Sequence, residues 1–474
     1  MSDHFPAAST RERGSALVIG GSLAGLFAAR VLAEHFARVS IIERDEVGDD
    51  PVPRRGVPQA RHQHVLLKRG RLIAEQLFPG IKDELIASGA PLVDMAGDFD
   101  WLTPAGWAVR FPSDLIMITC SRDLLESTIR RRLVRHPRVC LRGGVVVTGL
   151  LPREKSGGVA GAIVRDRTGQ QQEMRADLVV DASGRGSRLP VWLESLGYGR
   201  PDETVITAHL GYASRLYRRD PAVRPDSQGV YLQPAPPEFA RGGVVLPIEG
   251  GTWHVTLAGG SRDYPPTDPD GFIEFARSLR SSRLHDVIAA AEPLSPVYGY
   301  RATENRMRHY ERMPQWLAGL VALGDAACAF NPVYAQGMTT AALAAMALDD
   351  SLREWRLTRD KFDAHRFQRR LARVCSDAWT LATGEDYRFE GVEGGSRTIG
   401  TRMMHRYLDR VVHLTTRHAD VRQVMLDVFH MMRRPSALFH PRILIPALRV
   451  REHRKDTSIM PIDRRRAGQQ MEGG

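Results

Sequence analysis

The chain has 474 residues, of which 43% are hydrophobic and 26% charged, with a net charge of +11. That length exceeds one simple core and predicts two or three interlocked domains in a soluble globular protein. Its four cysteines, Cys120, Cys140, Cys328 and Cys375, show no CxxC or zinc-like spacing, which argues against a disulfide scaffold or zinc module and predicts buried thiols in a cytoplasmic protein.

The N-terminal "MSDHFPAASTRERGS" is polar and lacks the apolar core of a signal peptide, and residues 1–13 read as a flexible tail. "ALVIGGSLAGLFAARVL", Ala16 to Leu32, then reads as strand, tight turn and helix. Two devices share this pattern. One is a dinucleotide cradle, in which Gly20, Ser22, Leu23, Ala24 and Gly25 bring backbone to a pyrophosphate at a helix N-terminus. The other is a nucleophile elbow with Ser22 as nucleophile, but that elbow follows several earlier strands, and Ser22 lies on the first. "RVSIIERD" supplies a second strand closed by Glu43, a carboxylate placed to accept ribose hydroxyls in a βαβ unit.

"PVPRRGVPQARHQHVLL" predicts a loop and then a helix from about His64 to Leu77. "CSRDLLESTIRRRLVRH" predicts an amphipathic helix capped by Ser121, followed by a strand in "VCLRGGVVVTGL". "SGGVAGAIVRDRTGQ" predicts a hairpin, and "ADLVVDASGRGS" a buried strand ending in a glycine turn. From about Gly211 to Gly260 alternating strands predict a sheet-rich domain, with a hairpin closing at Gly250-Gly251. "WLAGLVALGDAACAF" is the longest apolar run, and Asp325 interrupts it, so no membrane span is predicted. Beyond Ser351 the chain reads as mainly helical, with a charged tail.

Three separated segments, the first turn, "DLVVDASGRGS" and "GDAACAFNPVYAQGM", resemble in content and order the signatures of flavoprotein monooxygenases related to p-hydroxybenzoate hydroxylase and squalene epoxidase. "RRGVPQARHQHVLL", "GDAACAFNPVYAQGM" and "WTLATGEDYRFEGVEG" further resemble the bacterial flavin-dependent epoxidases of polyether biosynthesis. The resemblance implies an α/β fold with a Rossmann-like FAD-binding domain, a sheet-rich substrate domain interleaved with it, and a helical C-terminal region. The implied boundaries are 14–80, 115–195 and 295–350 for the first, 81–114 and 196–294 for the second, and 351–455 for the third, with 456–474 as a tail.

By motif, Asp181 and Gly184 would lie near the pyrophosphate, Gly324 and Asp325 at the ribityl chain, and Arg122 against phosphates and ribityl. Arg44 would contact the adenosine, and Arg54, Val146, Pro332, Gly337 and Met338 complete the implied cofactor set. The helix starting near Gly337 would aim its positive end at the flavin pyrimidine. Cys328 stands where the family has histidine, and Ala335 where it has glycine. A substrate wall is expected around His64, Tyr212, Val245, Trp253 and Val255, and no metal site is expected.

In this family the flavin performs the chemistry, and the protein supplies binding, orientation and a dry pocket. The resemblance implies a C4a-hydroperoxide formed with O2 that epoxidises an olefin in a lipophilic polyketide or terpenoid. Aromatic hydroxylation is the enzyme alternative, ahead of halogenation or prenyl reduction, and the WxWxIP halogenase motif is absent. A basic membrane- or nucleic-acid-binding protein with a retained flavin fold is the non-enzyme alternative. The arginines run along the whole chain without a nucleic-acid motif, so a solvated basic surface is the preferred reading, with no nucleic-acid partner. No second nucleotide fingerprint is present, so electrons come from transiently bound NAD(P)H or a partner flavin reductase. "RRPSALFHPRILIPALRVREHRK" is expected to pack on the flavin domain, with peripheral membrane contact as its alternative.

Overall fold

The computed structural model describes residues 14–153, 157–220, 227–358 and 361–450, so both predicted tails lie essentially outside the described residues. Its first layer is a parallel sheet in the order Leu320–Ala322, Leu178–Asp181, Ser15–Ile19, Arg38–Ile42 and Val139–Arg142. The central strands are near-continuous apolar runs because helices cover the sheet. The register sets Ile19 beside Asp181 and Asp181 beside Ala322. Three segments far apart in sequence therefore leave the sheet at one edge, each through a turn that contains glycine.

Helices Leu23–His35 and Gly337–Leu357 pack against each other, and Ala364–Asp386 packs on the second. Their apolar faces join the sheet in one large core. The hairpin of Val159–Arg165 and Gln171–Arg175 forms as read, in a small sheet with Val146–Pro152.

The second layer is a seven-stranded mixed sheet in the order Tyr298–Tyr300, Gly211–Arg218, Thr252–Gly259, Arg241–Ile248, Gly229–Leu232, Phe99–Thr103 and Gly106–Trp107. Its central hairpin closes at Gly250-Gly251, with Ile248 opposite Thr252. Helices Pro269–Arg277 and Arg283–Ile288 cover one face.

Some local readings need correction. The predicted helix at His64 begins at Lys68, because His64–Leu67 stay extended or irregular, and Leu67 enters the helix at ψ 157° without a side-chain cap. "VCLRGGVVVTGL" forms two strands in different sheets, separated where Gly144 takes a φ of +69°. Helix Ile81–Ala87, assigned to the substrate domain, buries Ile81 and Leu85 in the flavin-side core. Cys140 is exposed, whereas the other three thiols are buried. Helix Pro441–Arg449 packs on Ile399–Leu414 and the turn Pro435–Phe439, where Ile443 and Ala447 enter a separate C-terminal core.

Candidate cofactor and substrate site

The first turn is held by close backbone packing. Gly20 has a φ of +103°, and a Cβ there would lie 2.5 Å from the Ala182 carbonyl oxygen. A Cβ on Gly25 would lie 1.9 Å from the Gly20 carbonyl oxygen, so Gly25 serves the turn from inside the helix and does not reach the cavity described below. Ser22 sits at the helix N-cap with extended backbone, φ −92° and ψ −177°, so the middle position of this turn needs no glycine. Its hydroxyl does not cap the helix. It donates to Glu126 Oε2 at 2.7 Å and accepts from Arg122 Nη2 at 2.9 Å. The first helical N–H groups consequently have no side-chain cap, and Leu23 and Ala24 line the cavity.

Behind this turn lies a buried charge network. Glu43 accepts the Gly21 N–H at 2.7 Å and the Asp45 N–H at 2.9 Å. Arg54 pairs with Glu43 at 3.3 Å, with Asp45 at 3.7 Å and with Glu126. Burial would raise the Glu126 pKa, but Arg122 and Arg54 outweigh it and hold the carboxyl below its usual range. Glu43, Arg44 and Arg122 line the cavity, whereas Arg54 stands behind the wall and holds Glu43 against it. Ser22 thus has a charge-paired carboxylate and an arginine as partners, which is a scaffold rather than a nucleophile with its base.

Asp181 is also behind the wall. It is fully buried and accepts from the Ser183 N–H at 3.0 Å and from the hydroxyls of Ser183 and Ser187. Burial raises its pKa against those hydrogen bonds. Its role is to shape the turn whose Ser183, Gly184 and Arg185 line the cavity. Gly324, at φ +60°, likewise serves packing, since a Cβ there would meet the Ala24 Cβ at 2.7 Å. Asp325 does reach the cavity, with Arg185 Nε 3.8 Å from its Oδ2. Enclosure by protein raises the Asp325 pKa, while Arg185, Arg122 and Arg308 pull it back.

Pro332, Ala335, Gly337 and Met338 complete this side. Ala335 adopts the left-handed conformation, φ +55°, that a glycine would take without strain. The loop before it is tied to the C-terminal region by Asp386. That buried carboxylate accepts from Asn305 Nδ2 at 2.6 Å, Asn331 Nδ2 at 3.1 Å and the Tyr334 hydroxyl at 2.6 Å. Burial pushes the Asp386 pKa up to about 7.

All these walls enclose one cavity of about 610 Å³, within the roughly 300–1,000 Å³ range of ligand pockets. Val146, His64 and Tyr212 line it as expected from the sequence, but Val245, Trp253 and Val255 do not. Those three point to the opposite sheet face, into the core with Phe272 and Phe275. Strand side chains alternate, and a one-residue error in phase selects the wrong face. Their neighbours Val244, Leu246 and Thr256 line the cavity instead.

Sequence reasoning also missed the far wall. Trp101 stands 5.2 Å from Tyr231 and 5.7 Å from Phe429 between ring centroids, and Met95, Phe99 and Met117 adjoin them. No local motif joins these residues; the alternation of "FDWLT" and "GVYL" was the available signal. Glu43 and Asp325 are the only carboxylates on the cavity wall among the described residues. His62 lies between the two ends, its Nδ1 2.8 Å from Ser214 Oγ and its ring packed on Tyr212 and Tyr300. Burial lowers the His62 and His64 pKa values to about 3, which keeps both imidazoles neutral. No metal-binding group of three is present among the described residues.

An uncapped helix N-terminus beside Arg122, with Glu43 and Arg44 at one side and Asp325 at the other, suits a ligand with a pyrophosphate between two polyols. The comparisons with known proteins agree with that chemistry. The family model described as FAD binding domain matches residues 13–355. Protein Rv3254 of Mycobacterium tuberculosis (strain ATCC 25618 / H37Rv) is 34% identical over 346 residues, covering 71% of this chain and 73% of its own. The fold is shared with the flavin-dependent brominase Bmp2, with a TM-score of 0.63 and 15% identity, over 88% of this chain and 92% of that one. It is shared with p-nitrophenol 4-monooxygenase PnpA from Pseudomonas putida DLL-E4, with a TM-score of 0.58 and 17% identity, over 89% and 98%.

Proposed function

The chain belongs to the FAD binding domain family, and from that premise we propose that it is an FAD-dependent monooxygenase acting on a neutral lipophilic molecule, by epoxidation of an olefin. Bound FAD would supply the activation of O2. The residues that would hold it are Leu23, Ala24 and Arg122 at the pyrophosphate, Glu43 and Arg44 at the adenosine and its ribose, and Asp325 at the ribityl chain. The N-terminus of Gly337–Leu357 opens on the cavity without a side-chain cap and would favour negative charge on the adjoining ring.

The observation that carries the substrate class is the composition of the far end. Met95, Phe99, Trp101, Met117, Tyr231, Leu246 and Phe429 present apolar and aromatic surface with no charged side chain among them. The nearby imidazoles are neutral, so an anionic substrate would lose its hydration without gaining a counter-ion. Such walls orient an uncharged skeleton and exclude water from the reacting face. An isolated alkene also requires no protein base, which accords with carboxylates confined to the cofactor end.

The test uses purified protein reconstituted with FAD, reduced chemically or with NAD(P)H, and exposed to O2 with lipophilic olefins and phenols. Olefin-dependent oxygen incorporation at the stoichiometry of one atom per substrate supports the reading. Product formation with phenols alone replaces it with aromatic hydroxylation, and O2 consumption with no transfer to either class overturns it. Supplying NADH, NADPH or a flavin reductase in turn identifies the electron donor.

A further inference from the structure

We propose that the outer face of the C-terminal helices is a docking surface for an anionic lipid bilayer. Two independent observations concentrate there. Residues 397–450 contain ten arginines against three aspartates, so this stretch of 54 residues carries a net +7 of the +11 of the whole chain. Arginines occur throughout the sequence; what singles out this stretch is its lack of balancing acids.

The second observation is exposed apolar surface in the same place. Ile399 and Met403 on helix Ile399–Leu414 are 69% and 65% exposed, and Leu448 and Ile445 on helix Pro441–Arg449 are 59% and 49% exposed. Met404 and Phe439 add to them. These side chains are surplus to folding, because the two helices already bury Val411, Leu414, Ile443 and Ala447 against each other and the adjoining elements.

Arg402, Arg406, Arg442 and Arg449 are exposed beside these apolar groups. An amphipathic helix with arginine flanking large apolar side chains lies in the headgroup region, with apolar groups entering the acyl boundary and guanidinium groups on lipid phosphates. No described helix is long and apolar enough to cross a membrane, so the contact is peripheral. The same region supplies Phe429 to the cavity wall, which sets the docking face and the apolar end of the cavity on one structural unit. Arg422 is buried and does not reach this face, but the remaining excess of arginine selects an anionic bilayer over a second copy of this equally basic face.

The full chain loaded with FAD would be pelleted with vesicles of phosphatidylcholine alone and of phosphatidylcholine containing phosphatidylglycerol. Binding is expected to the anionic vesicles, at least about tenfold above the neutral ones, and to fall as salt is raised. The Met403→Glu, Leu448→Glu pair and the Arg402→Gln, Arg406→Gln pair should each lower it at least about tenfold. Both pairs change exposed positions that do not line the cavity, so flavin absorbance and thermal midpoint should match wild type. Equal pelleting with both vesicle types, or binding unaffected by either pair, overturns the proposal. A dimer in gel filtration that Met403→Glu, Leu448→Glu dissociates, with no vesicle binding, overturns it in favour of a second copy. The assay needs no substrate, so it stands apart from the outcome of the turnover experiment.

Discussion

At the charged end of the cavity, the one proposed for FAD, the wall is backbone and charge: an uncapped helix N-terminus, Glu43, Arg122 and Asp325, braced from behind by Arg54, Glu126 and Asp181. At the far end it is rings and thioethers, with Trp101, Tyr231 and Phe429 drawn from three distant parts of the chain. The first end tolerates no side chain at its glycines, because a Cβ on Gly25, Gly20 or Gly324 would lie 1.9, 2.5 or 2.7 Å from a neighbouring atom. The second tolerates change in side chain, because it is a surface of shape and polarity.

That contrast can be broken most severely at Gly25. Gly25→Val forces a side chain onto the Gly20 carbonyl, and a loss of more than about 4 kcal/mol in urea unfolding is expected. Asp325→Ala should leave the fold intact and weaken FAD binding about thirtyfold, near 2 kcal/mol for a lost charge-assisted contact, as read by flavin fluorescence in equilibrium dialysis. Unchanged FAD affinity would show that the ribityl site lies elsewhere.

A test of comparable size concerns His62, between the two ends. Its folded pKa of about 3 lies below the ordinary 6.5, so the unfolded chain takes up its proton first. The stability it contributes is complete above pH 6.5 and is lost as pH falls toward 3. Between pH 7 and pH 5, wild type should therefore lose about 2 kcal/mol more than His62→Leu. Asp386, with its pKa raised to about 7, acts in the opposite sense. Its effect is common to both proteins, so their difference isolates His62.

At the apolar end, Trp101→Ala should reduce kcat/KM for a lipophilic substrate about tenfold, roughly 1.4 kcal/mol, while FAD affinity stays within twofold. A parallel loss of FAD would erase the distinction between the ends. The smallest effect is expected for Ser22→Ala, which removes two hydrogen bonds from the buried network and should cost about 1 kcal/mol in stability with turnover retained. Abolished turnover with FAD bound would restore Ser22 as a nucleophile.

The two ends also differed in how much of them could be read from the sequence. The convergence at the charged end was legible because glycine turns and strand-terminal carboxylates are local patterns, and a parallel sheet brings such termini to one edge. Even there, residue type identified membership of the site better than position: Asp181, Gly324, Gly25 and Arg54 support the wall instead of forming it. The braces could not be read, since Glu126 reaches Ser22 across 104 residues. The far wall was less legible still. Val245, Trp253 and Val255 were assigned to the correct strands and the wrong face, because both faces of that sheet are apolar and hydrophobicity alone does not set the phase.

The match to the FAD binding domain family ends at residue 355, but the architecture does not pause there. Helix Ala364–Asp386 inserts Phe367, Leu371 and Cys375 into the flavin-side core and delivers the Asp386 carboxylate to Asn305, Asn331 and Tyr334. Downstream, Phe429 closes part of the cavity and Arg422 is buried against the carbonyls of Met95, Ala96 and Val109. A chain truncated at the family boundary would leave a raw apolar scar on the flavin half and would release both the loop that carries Ala335 and the rear of the pocket. What sequence comparison delimits as an appendage is thus a keystone, and the unit that completes the flavin half and the cavity extends at least through helix Ala419–Phe429.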